Sequence, residues 1–259
     1  MVTKKNFPKE IKNIVDHRSE DLKPVLRHIK AFKSYYEDPA CAEWDNKKEA
    51  INLPIGFAVQ DKPSQNNNYD YFLDFGSHLG QGMEKICEAE NLKDDIQIHC
   101  FEANPHIFQK IEFKDNVQYY NIAVSDVNGF FDLNYETHNN GGATLISLDH
   151  WNPEKVYQWK EQERYQKYKQ ATVPSLSISN ILDWLIPDKK EKSILAKFDI
   201  EGAEYGVFEQ LRSTDNFKWF SKIYVEFHLH LLKGMRPLTH DMDWLNYFES
   251  IGLDTVLWD

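Results

Sequence analysis

The stretch Tyr69–Glu90, YDYFLDFGSHLGQGMEKICEAE, decides how the rest of the chain is read. A short apolar run, Tyr71-Phe72-Leu73, leads through Asp74-Phe75-Gly76 to Gly80 and Gly82 at the start of a helical pattern. Glycine is needed where backbone turns tightly or lets a ligand come close, because a β-carbon obstructs both. Strand, glycine turn and helix N-terminus together present unpaired N–H groups that suit an anionic ligand group. About 22 residues past Gly80, a second apolar run, IQIHCFEANP, reaches Glu102. An acid at that distance commonly accepts hydrogen bonds from the hydroxyls of a nucleoside ribose. The expectation is a nucleoside-bearing cofactor at the tips of parallel strands.

Working outward, strand and helix alternate. Gln81–Glu90 reads as a helix, Ile96–Phe101 as a strand, Pro105–Ile111 as a helix and Val117–Val124 as one further strand. Ile194–Ile200 is the next strand, followed by a tight turn at Glu201-Gly202-Ala203 and a helix to about Leu211. Then come a strand at Ile223–Phe227, a helix at Met242–Ile251 and a last strand at Asp254–Trp258. This alternation predicts an α/β domain over 69–259, a parallel sheet with helices on both faces and ligands at the carboxyl ends of its strands. Phe130–Tyr135 and Thr172–Ile178 read as extra short strands. Between them, about 148–171, a polar and aromatic excursion reads as a helical insertion. Its Trp151, Tyr157, Trp159, Tyr165 and Tyr168 either stack on an acceptor sugar or pack the insertion down. Residues 1–68 form an N-terminal helical segment broken near Pro24, then a polar linker, QDKPSQNNN. That segment packs on the main domain or serves as a lid or dimer contact.

The chain of 259 residues is long enough for one such domain with an appendage. A net charge of −11 argues against a nucleic-acid partner, whose phosphates reward Lys and Arg clusters. Three cysteines without metal-type spacing read as reduced, buried thiols. No signal-peptide core and no bilayer-length apolar run are evident, so a soluble, cytoplasmic protein is expected.

The spacing of Gly76, Gly80 and Gly82 fits two enzyme classes, the short-chain dehydrogenases with NAD(P) and the S-adenosylmethionine-dependent methyltransferases. The dehydrogenase reading finds a Tyr-x-x-x-Lys pair at Tyr165 and Lys169. Asp74 favours the other: a carboxylate before the first glycine repels a pyrophosphate and attracts ammonium and sulfonium charges. The ordered strings LDFGSHLG, FEANP, NIAVSDVNG, NNGGATL and AKFDIEGAEYGVF, spread over Tyr69–His228, resemble the FkbM-type methyltransferase family. The resemblance implies a Rossmann-like class I methyltransferase sheet that binds S-adenosyl-L-methionine and methylates a hydroxyl oxygen, commonly on a sugar or related metabolite. The chain departs from the family's usual first turn at His78.

On this reading Asp74, Gly76, Ser77, His78 and Gly80 surround the methionine part of the cofactor. Glu102, with Asn104 beside it, takes the ribose, and Ala123 leaves room for adenine. Ser125 and Asp126 bond the adenine edge or simply turn the chain. Asp199 and Glu201 face the methyl group as candidate bases, and Glu204 caps or pairs at the N-terminus of the following helix. Glu226, His228 and His230 alternate on one face, with His228 the best imidazole base. Asp199, Glu201, Glu226 and His228 also have metal-ligand chemistry, but their spacing is not diagnostic and no metal is assigned. Lys233 and Arg236 could hold an anionic group on the acceptor. A non-catalytic module that keeps cofactor binding is the remaining alternative.

Overall fold

The structure is a computed structural model that describes residues 68–136, 143–146, 168–228 and 237–258. Six strands form an all-parallel sheet: β1 (Tyr71–Phe75), β2 (Gln97–Phe101), β3 (Val117–Tyr120), β8 (Ile194–Phe198), β9 (Phe220–Val225) and β10 (Asp254–Leu257). Their order is β10-β9-β8-β1-β2-β3. Counted within the sheet this is 3-2-1-4-5-6, the order of doubly wound nucleotide-binding sheets. Order reverses between β1 and β8, and a crevice opens outside the carboxyl ends at such a switch point.

Both faces are covered, as a parallel sheet requires. Side chains alternate along β1, so Leu73 and Phe75 join one core while Phe72 joins the other. Helix α1 (Gln81–Ala89) packs Met83 and Ile86 with Phe72. The opposite face carries α3 (Ile178–Leu185), α4 (Glu204–Ser213) and α5 (Pro237–Ser250), which contribute Ile181, Phe208 and Phe248. A one-turn helix, α2 (Pro105–Phe108), follows β2.

The third strand differs from expectation. It breaks at Asn121, whose Nδ2 donates to the carbonyls of Glu102 at 2.7 Å and Ala103 at 3.1 Å. Beyond the break, β4 (Ala123–Ser125) leaves the main sheet and joins β5 (Gly129–Glu136), β6 (Ala143–Thr144) and β7 (Tyr168–Ser177) in the order β4-β7-β5-β6. β5 and β7 form an antiparallel ribbon from Gly129↔Ser175 to Glu136↔Tyr168. Residues 168–171 are therefore strand and do not belong to a helical insertion, and Ile178 opens a helix. That helix, α3, is absent from the sequence reading. Ser177 caps it, accepting from the Asn180 N–H at 3.3 Å. The proposed helices of the N-terminal segment, the rest of the insertion with its aromatic residues, and Lys233, Arg236 and His230 lie outside the described residues.

Candidate functional site

A cleft opens over the carboxyl ends of β1, β2 and β8, with one wall from the second sheet. Its polar lining is His78, Glu102, Asn104, Asp199, Glu201 and Glu226, and no Lys or Arg lines it among the described residues. Its apolar lining, Phe101, Ile107, Ile122, Ala123, Leu133 and Leu145, lies toward β2, β4 and β5. The cleft is thus apolar at one end and acidic at the other.

The first glycine turn is built by backbone packing. Gly76 has φ 80°, and a β-carbon there would lie 1.7 Å from the Asp199 carbonyl oxygen. Gly76 is thus required by the neighbouring strand tip, and it also lines the cleft. His78 adopts φ 50°, a left-handed conformation in which His, Asn and Asp are enriched. Its backbone N–H donates to Glu102 Oε2 at 2.8 Å. Glu102 Oε1 accepts from Asn104 N–H at 2.7 Å, so both oxygens are anchored and each keeps a lone pair for a ligand. Burial pushes the Glu102 carboxyl up to about 7, against these two hydrogen bonds. Asn104 caps α2 through Oδ1, and its buried Nδ2 has no hydrogen-bond partner among the described residues. The Ser77 hydroxyl and His78 Nε2 are likewise buried and unmatched there. Gly80, at φ 97°, is the N-cap of α1. Neither Ser77 nor Gly80 lines the cleft.

Asp74 needs the largest correction. It is fully buried, does not line the cleft, and meets a residue that the sequence reading passed over. Lys197, only 2% exposed in the middle of a strand, places Nζ 3.3 Å from Asp74 Oδ1 and 3.0 Å from Asp199 Oδ2. The same ammonium donates to the Gly76 carbonyl at 2.9 Å. Burial raises the Asp74 carboxyl and Lys197 opposes it. Burial also acts to lower Lys197, but Asp74 and Asp199 outweigh it and hold the ammonium above its ordinary value. Beyond this ion pair, neither Asp74 oxygen has a hydrogen-bond partner among the described residues.

The acceptor end is arranged around His228, which lies just past β9 and is 4% exposed. Its Nδ1 sits 3.0 Å from Glu204 Oε1. Glu204 is itself fixed, accepting from Ile200 N–H at 2.8 Å and Gly202 N–H at 2.9 Å, so it braces the turn before α4 instead of capping the helix's own N–H groups. The other ring nitrogen faces Glu226 at 3.5 Å, Glu201 at 3.7 Å and Asp199 at 3.8 Å. Burial acts to lower the His228 pKa, yet Glu204, Glu226 and Glu201 hold it well above the ordinary value. The carboxylates gathered around the ring favour positive charge at this point, and the ring itself lies buried behind the cleft wall. Glu201, at φ 54° on the turn, is pushed up to about 7 by burial, with His228 opposing. Among these carboxylates it is the one placed to exchange a proton near neutral pH.

Two other assignments move. Ser125 lies away from the cleft, with its hydroxyl 2.8 Å from Ser175 Oγ and 2.8 Å from the Val127 carbonyl, so it ties β4 to β7. Lys169 is exposed on β7 in the second sheet, and Tyr165 lies outside the described residues. A dehydrogenase pair beside the cofactor on the main sheet is not formed by that lysine. The cleft residues missed from sequence include Leu133 and Ala143, on strands of a sheet whose pairing is long-range, and Ile122 and Leu145, which flank its strands.

Fold and cleft together define an α/β domain that receives a ligand at the switch point of a parallel sheet. The FkbM methyltransferase domain family matches residues 74–249. The chain belongs to that family and carries a methyltransferase domain, and the match extends past His228 through most of α5. No curated protein and no solved structure matches the chain.

Proposed function

We propose that the chain is an S-adenosyl-L-methionine-dependent O-methyltransferase with a Rossmann-like class I sheet, acting on a hydroxyl of a sugar, glycan or related metabolite. The observation that carries this reading is the acidic cleft: Glu102, Asp199, Glu201 and Glu226 line it with no opposing Lys or Arg among the described residues. Such a lining attracts a cationic cofactor and repels a diphosphate. Across the sheet the chemistry runs in the order of the cofactor's parts. Ala123 and Ile122 offer a flat apolar seat for adenine, Glu102 the ribose acceptor, and the Gly76–His78 turn the methionine end. The Asp199–Glu201 tip borders the transferring methyl.

S-adenosylmethionine would supply an electrophilic methyl on a sulfonium, and its transfer to an aligned acceptor oxygen would break the S–CH3 bond and leave the neutral thioether S-adenosylhomocysteine. Alignment of the two reactants provides most of the acceleration. Glu201 accepts the acceptor's proton as the new O–C bond forms, and the His228 ring, 3.7 Å from Glu201 and 3.8 Å from Asp199, positions both carboxylates. Calorimetry with S-adenosylmethionine and with NAD(P) tests the cofactor class. Binding of the sulfonium compound, weakened by Glu102→Gln, is the expected result; binding of NAD(P) alone would overturn it. Mass spectrometry of candidate glycans incubated with enzyme and isotopically labelled cofactor then identifies the acceptor.

A further inference from the structure

The geometry points to a divalent-cation site formed by Asp199, Glu226 and His228 at the acceptor end of the cleft. These side chains come from the tips of two adjacent parallel strands, and one ligand atom of each lies within 4.8 Å of the others. Ligands of an octahedral cation at about 2.1 Å stand about 3 Å apart when adjacent and about 4.2 Å when opposite. His228 Nε2 is 3.5 Å from Glu226 Oε1 and 3.8 Å from Asp199 Oδ1, so small side-chain rotations bring all three atoms onto one ion.

The surrounding contacts match what a ligating histidine needs. A metal-bound imidazole commonly gives its other N–H to a carboxylate, which fixes the ring and its tautomer. Glu204 does this for Nδ1 at 3.0 Å and is held in turn by two backbone N–H groups. It is fully buried and outside the cleft lining, so it orients the ring without competing for the ion. Asp199 and Glu226 keep side-chain exposures of 24% and 32%, which leaves a path to the ligand face. One imidazole with two carboxylates suits Mn²⁺ or a similar borderline ion better than a soft-metal site would. Three protein ligands leave coordination positions open to an oxygen from the cleft.

This inference concerns the ligand-free protein and does not depend on the identity of the methyl donor. Titrating the full chain with Mn²⁺ alone, in the absence of donor and acceptor, and following the aquo-ion signal by electron paramagnetic resonance tests it. The expected result is one bound Mn²⁺ per chain, with binding lost in His228→Ala and in Glu226→Gln. Glu204→Gln, acting through the ring, should weaken binding roughly 10- to 100-fold. Glu209→Gln, exposed on α4, should leave it unchanged. Glu226 sits at an open strand tip, so Glu226→Gln decides the matter even if His228→Ala fails to fold. No Mn²⁺ bound, or binding indifferent to Glu226→Gln, would overturn the site.

Discussion

Two charged clusters share Asp199 at the carboxyl edge of the sheet, and they differ in access. Under β1, Lys197 is enclosed by Asp74, Asp199 and the Gly76 carbonyl, with Asp74 and Lys197 at 0% and 2% exposure. Beside β9, His228 is equally buried, but three of the carboxylates around it face the cleft. The residue types are nearly the same. Around Lys197, where only Asp199 reaches the cleft, the ammonium offsets the buried carboxylates and ties the strands together. Where one side stays open, surplus negative charge is left for a ligand.

The strongest way to break this comparison is Lys197→Met, which leaves Asp74 buried without its partner. Unfolding in urea should show a loss of about 3–5 kcal/mol. A loss below about 1 kcal/mol would mean that the closed cluster does not hold the strands. Glu201→Gln should act in the opposite sense: methyl transfer falls at least about 100-fold, while the urea midpoint at neutral pH does not fall. Stability lost with turnover intact would exchange the roles given to the two clusters.

A pH experiment sharpens the open side. Glu102 and Glu201 are both raised from 4.5 to about 7 by burial. The folded state then retains protons that the unfolded state releases between those values. This contribution to stability is complete below about pH 4.5 and is lost as pH rises through about 7. The double variant Glu102→Gln/Glu201→Gln should flatten that part of the stability profile, and each single variant should remove part of it. Affinity for S-adenosylmethionine should rise over the same interval as the carboxylates ionise. The smallest effect belongs to Ser125→Ala, at about 1 kcal/mol from its lost hydrogen bonds. Cofactor affinity should not change, and a weakened affinity would return Ser125 to the cleft.

Local patterns in the sequence revealed the parallel strands, the glycine turn, Glu102 and the Asp199–Glu201 tip, because each depends on neighbours a few residues away. Lys197 was not legible. A lysine inside AKFDIEG gives no local sign of being enclosed, since Asp74 lies on another strand. Val117–Val124 read as one strand because its apolar run is continuous; the break depends on Asn121 reaching the carbonyls of Glu102 and Ala103. β7 begins among Lys169 and Gln170, exposed residues whose strand state comes from pairing with β5. Helix α3 did carry a signal, Ser177 before Ile178, Ile181 and Leu182, and it was obscured by the strand-like run before it.

The absent side chain at Gly76 has a mechanical consequence. The Asp199 carbonyl occupies the space where a β-carbon would stand, and the Asp199 N–H donates to the Phe75 carbonyl at 3.1 Å. The loops that follow β1 and β8 are thereby in main-chain contact, so a substitution that displaces one should displace the other, and on the proposed reading this would set the spacing of the two reactants.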